Sequence, residues 1–320
     1  MLHAFRLSQN DILALDSPPE GLDEAIWIDL FVPSPAEVET VEALGMAVPA
    51  QEDMEELQLS SRLYRIGATK YMTVVLPGLS SDGRRLSRPL CLVLAPERLL
   101  TVRYHAPEAL AVFPERAARS GAGCGSPLRL CLGLIEEMVD ELSDTMEEIG
   151  RSLDATSVEV FDGGRLNRSV TLQRALEVTG RFGVRIAAVR QSLLTLARAL
   201  NYLEQFPTEA EDAKEIKRLV AGQARDVAAL EVHADHLASR ASVVTDATLG
   251  MISLEQNKSV SMLSALVALF APAMLISSIY GMNFTWMPEL DSKWGFALAL
   301  GGMGVSGIAT FLFFKKRGWM

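Results

Sequence analysis

The spacing of apolar positions changes character several times along the chain. Over residues 1–120 it comes in short bursts. Ile26-Trp27-Ile28-Asp29-Leu30 and residues 71–76, 90–94 and 99–104 are runs of strand length. Turn residues bound them: Pro33-Ser34-Pro35 after the first, Ser80-Ser81-Asp82-Gly83 between the second and third, and Pro96-Glu97 before the last. Ser34, with Glu37 three residues on, predicts a capped helix over 36–44. Glu52-Asp53-Met54-Glu55-Glu56, after the turn at Pro49, predicts an acidic helical start. Strands and helices in this arrangement predict an α/β domain, a sheet with helices on it.

Beyond residue 126 the period lengthens to three and four. Leu130, Leu134, Met138, Leu142, Met146 and Ile149 predict a helix over 128–157. Asp162-Gly163-Gly164 breaks it, and a second helix over 166–203 ends before Pro207. So short a break predicts antiparallel neighbours. From 208 to 271 there is no proline, and only Gly222 and Gly250 interrupt good helix formers. One continuous helix here would be on the order of 95 Å long. Val227, Leu230, Ala234, Leu237, Ala241, Val244, Thr248 and Met251 form a heptad-like seam. Its side chains are too small for a strong two-stranded coiled coil and suit a helix packed on several neighbours around a central axis.

The last pattern is the absence of charge. Residues 259–288 carry no charged side chain, and residues 294–314 carry none. A bilayer core needs about 20 apolar residues of helix, so both segments are long enough to span. Residues 282–293 between them are too few for a domain and predict a tight hairpin. Lys258 precedes the first span and Lys315, Lys316 and Arg317 follow the second, while the turn carries Glu289, Asp291 and Lys293. Basic residues at span ends favour the cytoplasm, so both termini are expected there and the turn outside. Trp286 and Trp294 suit the outer interface and Trp319 the inner one. The expected parts are a cytoplasmic α/β domain over 1–125, an antiparallel helical pair over 126–206, a stalk helix over 207–258, a transmembrane hairpin over 259–314 and a basic tail over 315–320.

Charge sharpens this division. The formal net charge is −10. Residues 257–320 hold five basic and two acidic side chains, leaving 25 basic and 38 acidic on residues 1–256. Such an acidic soluble part does not suit nucleic acid. It suits attraction of cations, and equally plain solubility. Cys91, Cys124 and Cys131 form no Cys-x-x-Cys pair, which excludes a zinc ribbon or thioredoxin motif, and a cytoplasmic domain keeps them reduced. Residues 1–15 show no sustained apolar run around Arg6 and Asp11, so no secretory leader is expected. No nucleophile–base set or phosphate loop points to an enzyme.

Tyr280-Gly281-Met282-Asn283-Phe284 ends the first span, and Met287-Pro288-Glu289-Leu290 follows in the turn. These residues, between two spans at the C-terminal end, resemble the CorA family of divalent-cation transporters, the two-transmembrane GxN proteins. WIDLFVPSPAEVE and QEDMEELQLSSRLY resemble parts of the family's soluble domain more weakly. The resemblance implies a homopentamer in the cell (inner) membrane, with the first span nearest the axis. It implies transport of hydrated divalent cations, Mg²⁺ foremost and also Co²⁺ and Ni²⁺, with no cofactor beyond transported or regulatory cations. It makes Gly281, Met282 and Asn283 the outer selectivity element and aligns Asn257 with a polar pore position at the inner end.

The residues carry their own argument for the pore. Alternate steps of four and three from Asn257 reach Ser261, Ser264, Ala268, Ala271, Leu275 and Ser278, a stripe of small or hydroxylated side chains. Met262, Leu263, Leu266, Leu269, Phe270 and Ile276 lie opposite. Polar groups in a span face protein or water, so the stripe lines either a pore or a close helix contact. One helix cannot enclose a pore, hence a pore requires a symmetric oligomer. Mg²⁺ gives up its water reluctantly, and the Asn283 amide oxygen can accept from that water shell while Gly281 lets the backbone turn. Asn283 also suits a helix C-cap. Glu289 would concentrate cations at the mouth. The stripe departs from the family in having Ala268 and Ala271 where a bulky gate is common, leaving Leu275 as the gate candidate. Glu136, Asp140, Asp144 and Glu148, spaced by four, read either as a solvated face or, with Asp82, as regulatory cation ligands. His233 and His236 lie one turn apart around Asp235, and read as solvent-facing or as metal ligands. Two alternatives stand beside the magnesium reading: a zinc transporter similar to ZntB, with proton coupling, and a membrane scaffold of this fold without transport.

Overall fold

The apolar bursts near the N-terminus become strands of one sheet. In the computed structural model the described residues are 1–8, 11–15, 20–56, 62–80, 82–162, 168–206, 213–282 and 293–317. The strands are β1 Leu2–Ser8, β2 Asp11–Ala14, β3 Ala25–Phe31, β4 Leu63–Ile66, β5 Thr69–Leu79, β6 Arg85–Leu94 and β7 Leu99–Arg103. They form a seven-stranded sheet in the order β2-β1-β3-β7-β6-β5-β4. Only β3 and β7 run parallel, with Trp27 opposite Leu99 and Asp29 opposite Thr101; the other pairs are antiparallel. The four predicted strands are all present. Sequence reading missed β1, β2 and β4, which lie at the two ends of the sheet, where burial falls away.

The helices are α1 Pro35–Glu42, α2 Gln51–Glu55, α3 Glu108–Arg116, α4 Pro127–Asp162, α5 Arg168–Glu204, α6 Ala213–Tyr280 and α7 Gly295–Lys316. The Ser34 hydroxyl accepts the Glu37 N–H, and the Glu37 carboxylate accepts the Ser34 N–H at 2.7 Å, so the predicted capping box is formed. The predicted break at Gly163 and Gly164 lies outside the described residues, as does Pro207. The chain divides into two compact units, Met1–Val158 with Glu177–Val244, and Glu159–Leu176 with Thr245–Met320.

In the first unit the sheet is buried on both faces, which explains why its central strands read as unbroken apolar runs. Leu90, Leu92 and Leu94 of β6, with Met72, Val74 and Leu76 of β5, pack with the helical layer of α3 to α6. Cys91 and Val93 point the other way, toward Val41 and Met54 of α1 and α2. The predicted α6 seam supplies Val227, Ala234, Leu237 and Ala241 to the larger core. All three cysteines are free and buried, and burial pushes the Cys91 and Cys131 thiols up to about 12. Polar contacts also tie these elements together. The Thr195 hydroxyl of α5 accepts the Val75 N–H at 3.0 Å, where β5 runs past the end of β4. Glu141 of α4 accepts the Ala109 N–H at 2.9 Å and the Glu108 N–H at 3.4 Å, capping α3 in place of Pro107, which has no side chain to do so.

A charged pair lies inside this core. Arg103 reaches both Asp29 oxygens, with Nε to Oδ1 at 3.1 Å and Nη2 to Oδ2 at 2.9 Å. Thr101 donates to Asp29 Oδ1 at 2.6 Å and accepts from Trp27 Nε1 at 3.2 Å. The third guanidinium nitrogen, Nη1, donates to the His105 carbonyl at 3.0 Å, and the guanidinium lies 4.4 Å from the Phe31 ring centre. Every member therefore has a partner, which low-dielectric burial demands. His105 is fully buried, and its Nε2 donates to the Leu76 carbonyl at 3.0 Å. A Cβ on Gly78 would come within 2.7 Å of the His105 ring and 2.8 Å of the Ala106 backbone, so only glycine fits there.

Two outcomes follow for stability. Asp29→Asn or Arg103→Met leaves one buried charge unpaired and should cost about 3–5 kcal/mol, with the double substitution costing less than the two single losses combined. Fluorescence-monitored unfolding in detergent checks it. Burial, together with the nearby Arg103 and Arg88 charges, lowers the His105 pKa to about 4. The unfolded chain then takes up this proton first, so stability present above pH ~6.5 is lost as pH falls toward 4, by about 3 kcal/mol from this residue. A stability profile against pH should lose that part of its slope in His105→Gln.

Candidate functional site: the membrane hairpin

α6 and α7 are both long and apolar enough to cross a membrane. The spanning part of α6 and all of α7 belong to the second unit. No charge interrupts either span, and two hydroxyls of α7 are satisfied locally. Ser306 donates to the Met303 carbonyl and Thr310 to the Ser306 carbonyl, each at 2.9 Å. Such back-bonding lets a hydroxyl sit in hydrocarbon without an open donor.

The membrane part of α6 has three faces. Ala265 is fully buried, and a Cβ on Gly302 would lie 3.9 Å from Ile276. Ala265, Leu269, Ala273 and Ile276 thus make the face toward α7. Sequence reading had placed Leu269 and Ile276 in the bulky outer stripe. The readable signal was small residues at 265 and 273 facing a glycine-rich second span. A second face holds Leu263, Val267, Phe270 and Met274, all exposed. The third is the predicted stripe. Asn257, Ser264, Ala271, Leu275 and Ser278 are exposed and Ser261 and Ala268 half-buried. At about 100° per residue, the stripe centres roughly 120° around the helix from the α7 contact. It is not consumed by the hairpin and remains free to face another partner or water. Pro272 lies inside α6 and has no N–H to offer the Ala268 carbonyl, which adds a backbone acceptor on the stripe.

At the outer end, the Gly281 N–H donates to the Ser277 carbonyl at 3.0 Å and the Met282 N–H to the Ile279 carbonyl at 3.2 Å. The helix therefore closes at the start of the tripeptide. Gly281 sits in a turn without adopting a left-handed backbone. Asn283, Glu289, Phe284, the Met287–Leu290 stretch, Trp286 and Trp319 lie outside the described residues. Trp294 precedes α7 and is exposed.

The acidic candidates do not converge. Asp82 pairs with Arg84 at 3.0 Å in its own turn. Glu136 accepts from Ser120 at 2.7 Å, and Glu148 pairs with Arg185 at 2.5 Å, a contact that lowers its pKa. Asp140 and Asp144 are exposed between them. Partial burial, and then Glu136, Asp144 and Asp226, raise the Asp140 pKa. His233 and His236 are exposed, and Asp235 pairs with Arg190 at 3.0 Å. Among the described residues no three His, Cys, Asp or Glu side chains are placed to hold a metal ion within one chain.

Comparison with other proteins agrees with this architecture. The family described as CorA-like Mg2+ transporter protein matches residues 23–316. The magnesium transport protein CorA of Haemophilus ducreyi is 28% identical over 326 residues, covering 100% of both chains. That of Salmonella typhimurium is 27% identical over 329 residues, again covering 100% of both. Among solved structures, the CorA magnesium transporter from Methanocaldococcus jannaschii superposes with a TM-score of 0.75 at 17% identity, covering 100% of this chain and 99% of that one. The full-length CmaX protein does so with a TM-score of 0.63 at 16% identity, covering 100% and 98%. The sheet, the long α6 and the C-terminal apolar helix together are thus the CorA fold. These are transporters and not enzymes, and the two apolar helices place the chain in a membrane. With a match that takes in both the sheet domain and the hairpin, the chain belongs to the CorA-like Mg²⁺ transporter family.

Proposed function

We propose that this chain is a channel-type transporter of divalent cations, Mg²⁺ first among them, with its pore on the axis of a homo-oligomer of five. The observation that carries the proposal is the Gly281-Met282-Asn283 tripeptide at the outer end of the first of two C-terminal spans, within a full-length match to magnesium transport proteins. Asn283 offers a neutral amide oxygen to the water shell of the ion, and Glu289 raises the cation concentration at the mouth. Asn257, Ser261, Ser264, Ala268, Ala271, Leu275 and Ser278 line the path. That stripe faces away from α7, which supports placing it at the axis. Leu275 is its bulkiest member and the gate candidate. Asp82 and the α4 carboxylates would serve as regulatory cation ligands only by combining across subunits. Both termini lie in the cytoplasm, and the membrane is the cell (inner) membrane.

Liposomes holding the purified protein test this. Mg²⁺ entry driven by membrane potential should appear, with Co²⁺ and Ni²⁺ following. Asn283→Ala should lower Mg²⁺ flux by about tenfold or more, since each subunit loses an ion-associated hydrogen bond worth about 1.5–3 kcal/mol. Its oligomer should stay intact. Zinc entry dependent on a pH gradient would replace this reading with a zinc transporter, and absence of any flux would leave a scaffold. Native mass analysis should give five chains; a stable monomer would sink the axial pore.

A further inference from the structure

On the side of the hairpin away from the stripe, α6 and α7 leave a groove between them. It is a cavity of about 380 Å³ lined by Leu269, Phe270 and Ala273 of α6 and by Gly304, Gly307 and Phe311 of α7. A Cβ on Gly304 or Gly307 would meet nothing within 4 Å, so the glycines open this space without serving the contact between the helices. The groove is apolar along its length, but the faces that form it end in positive charge. A step of four from Phe311 reaches Lys315. Lys258 lies eleven residues, about three turns, before Leu269 and so on the same side of α6. Antiparallel helices bring these two lysines to the same end of the hairpin. Lys316 and Arg317 lie beside them, and the Arg317 guanidinium sits 5.1 Å from the Phe313 ring centre. Lys258, Lys315, Lys316 and Arg317 are exposed, and none has a carboxylate partner among the described residues.

We propose that this groove is a phospholipid site: an acyl chain lies along Gly304 and Gly307, and Lys258 and Lys315 hold the phosphate of an anionic headgroup. The charge complementarity selects the occupant. A helix of a second copy would fill apolar space but leave four cations unmatched, whereas an anionic phospholipid supplies hydrocarbon and charge at the matching ends. The α6 lining centres roughly 180° around the helix from the Asn257–Ser278 stripe at about 100° per residue. With that stripe on an oligomer axis the groove opens outward to lipid; only this orientation rests on the proposed pore. Basic residues at an anionic leaflet are worth about 1 kcal/mol each, which is about fivefold in occupancy.

The test uses the full chain, purified in detergent, stripped of lipid and then given equal phosphatidylglycerol and phosphatidylcholine with matched acyl chains. Retained lipid per chain is counted by mass spectrometry. Phosphatidylglycerol should be retained about fivefold or more over phosphatidylcholine. Lys258→Gln and Lys315→Gln should each lower its retention about fivefold and leave phosphatidylcholine unchanged. Gly307→Leu should lower retention of both lipids with the oligomer size unaltered. Equal retention of the two lipids by the unaltered protein, or selectivity indifferent to both lysine substitutions, overturns the proposal, and these surface changes do so even where Gly307→Leu does not fold. Oxidative crosslinking of Gly304→Cys between copies would also overturn it, since a second copy then fills the groove. Mg²⁺ flux in liposomes is a separate readout: its absence with lipid selectivity intact would sink the pore and leave the lipid site.

Discussion

Backbone amides in hydrocarbon have no water to bond, so a segment that crosses must close its hydrogen bonds internally or find a partner in protein. Residues 258–316 are arranged under that constraint. Both spans are helices, the Ser306 and Thr310 hydroxyls of α7 bond back to their own helix's carbonyls, and charge is confined to the span ends. Pro272 is the one place where α6 must leave a carbonyl without its helical donor. That carbonyl belongs to Ala268, on the one stripe of the helix that is neither bulky nor turned toward α7. A released acceptor tolerates this position if water or another subunit reaches it, and the surrounding serines point the same way. The released carbonyl thus lies on the same side of the helix as the stripe's own polar groups.

The soluble unit meets the opposite problem, a charge taken out of water. Asp29 and Arg103 sit on neighbouring parallel strands, two positions apart along the ladder, and each is almost wholly buried. A pair in that setting stabilises only if every remaining donor and acceptor is engaged. Thr101, the His105 carbonyl and the Phe31 ring complete the set, and Trp27 is drawn in through Thr101. The network fixes how β3 and β7 align in a way that apolar packing alone does not, because a slip of one residue would move Asp29 to the other face of the sheet. Gly78 and His105 tighten the same end of β7 by close approach.

Local features of the fold were legible and distant ones were not. The Ser34–Glu37 box spans four residues and is readable at sight. The spans and the α6 seam repeat often enough for the period to declare itself. By contrast, β2 and β4 have four residues each and β1 buries only Ala4, so their apolar signal is thin. α3 has nine residues with Pro114 inside it, and its cap is Glu141, brought in from another helix. The Asp29–Arg103 pair joins residues 74 apart, yet each left a trace: a lone charge in an apolar strand run. In the hairpin, the stripe of residues 257–278 followed from periodicity. The split of the remaining surface between α7 and the groove did not, because it depends on how the second span's glycines sit against the first.

On the proposed pore, the neutrality of the stripe reconciles insertion with conduction. A carboxylate at the centre of a span costs about 2.5–3.5 kcal/mol to insert, and five of them would hold a divalent ion strongly. Amide and hydroxyl oxygens cost less to bury and bond to the ion's water instead of displacing it. Fixed charge is then useful only outside the hydrocarbon, where it acts over distance on local concentration. The chain follows that division: 38 acidic side chains lie within residues 1–256, two lie in the sequence between the spans at Glu289 and Asp291, and none lies between Lys258 and Glu289. The same logic places the lysines. At the lysine-bearing ends of the spans, positive charge does not oppose the proposed cation path on the opposite side of α6, and it is available to the lipid that surrounds the helices.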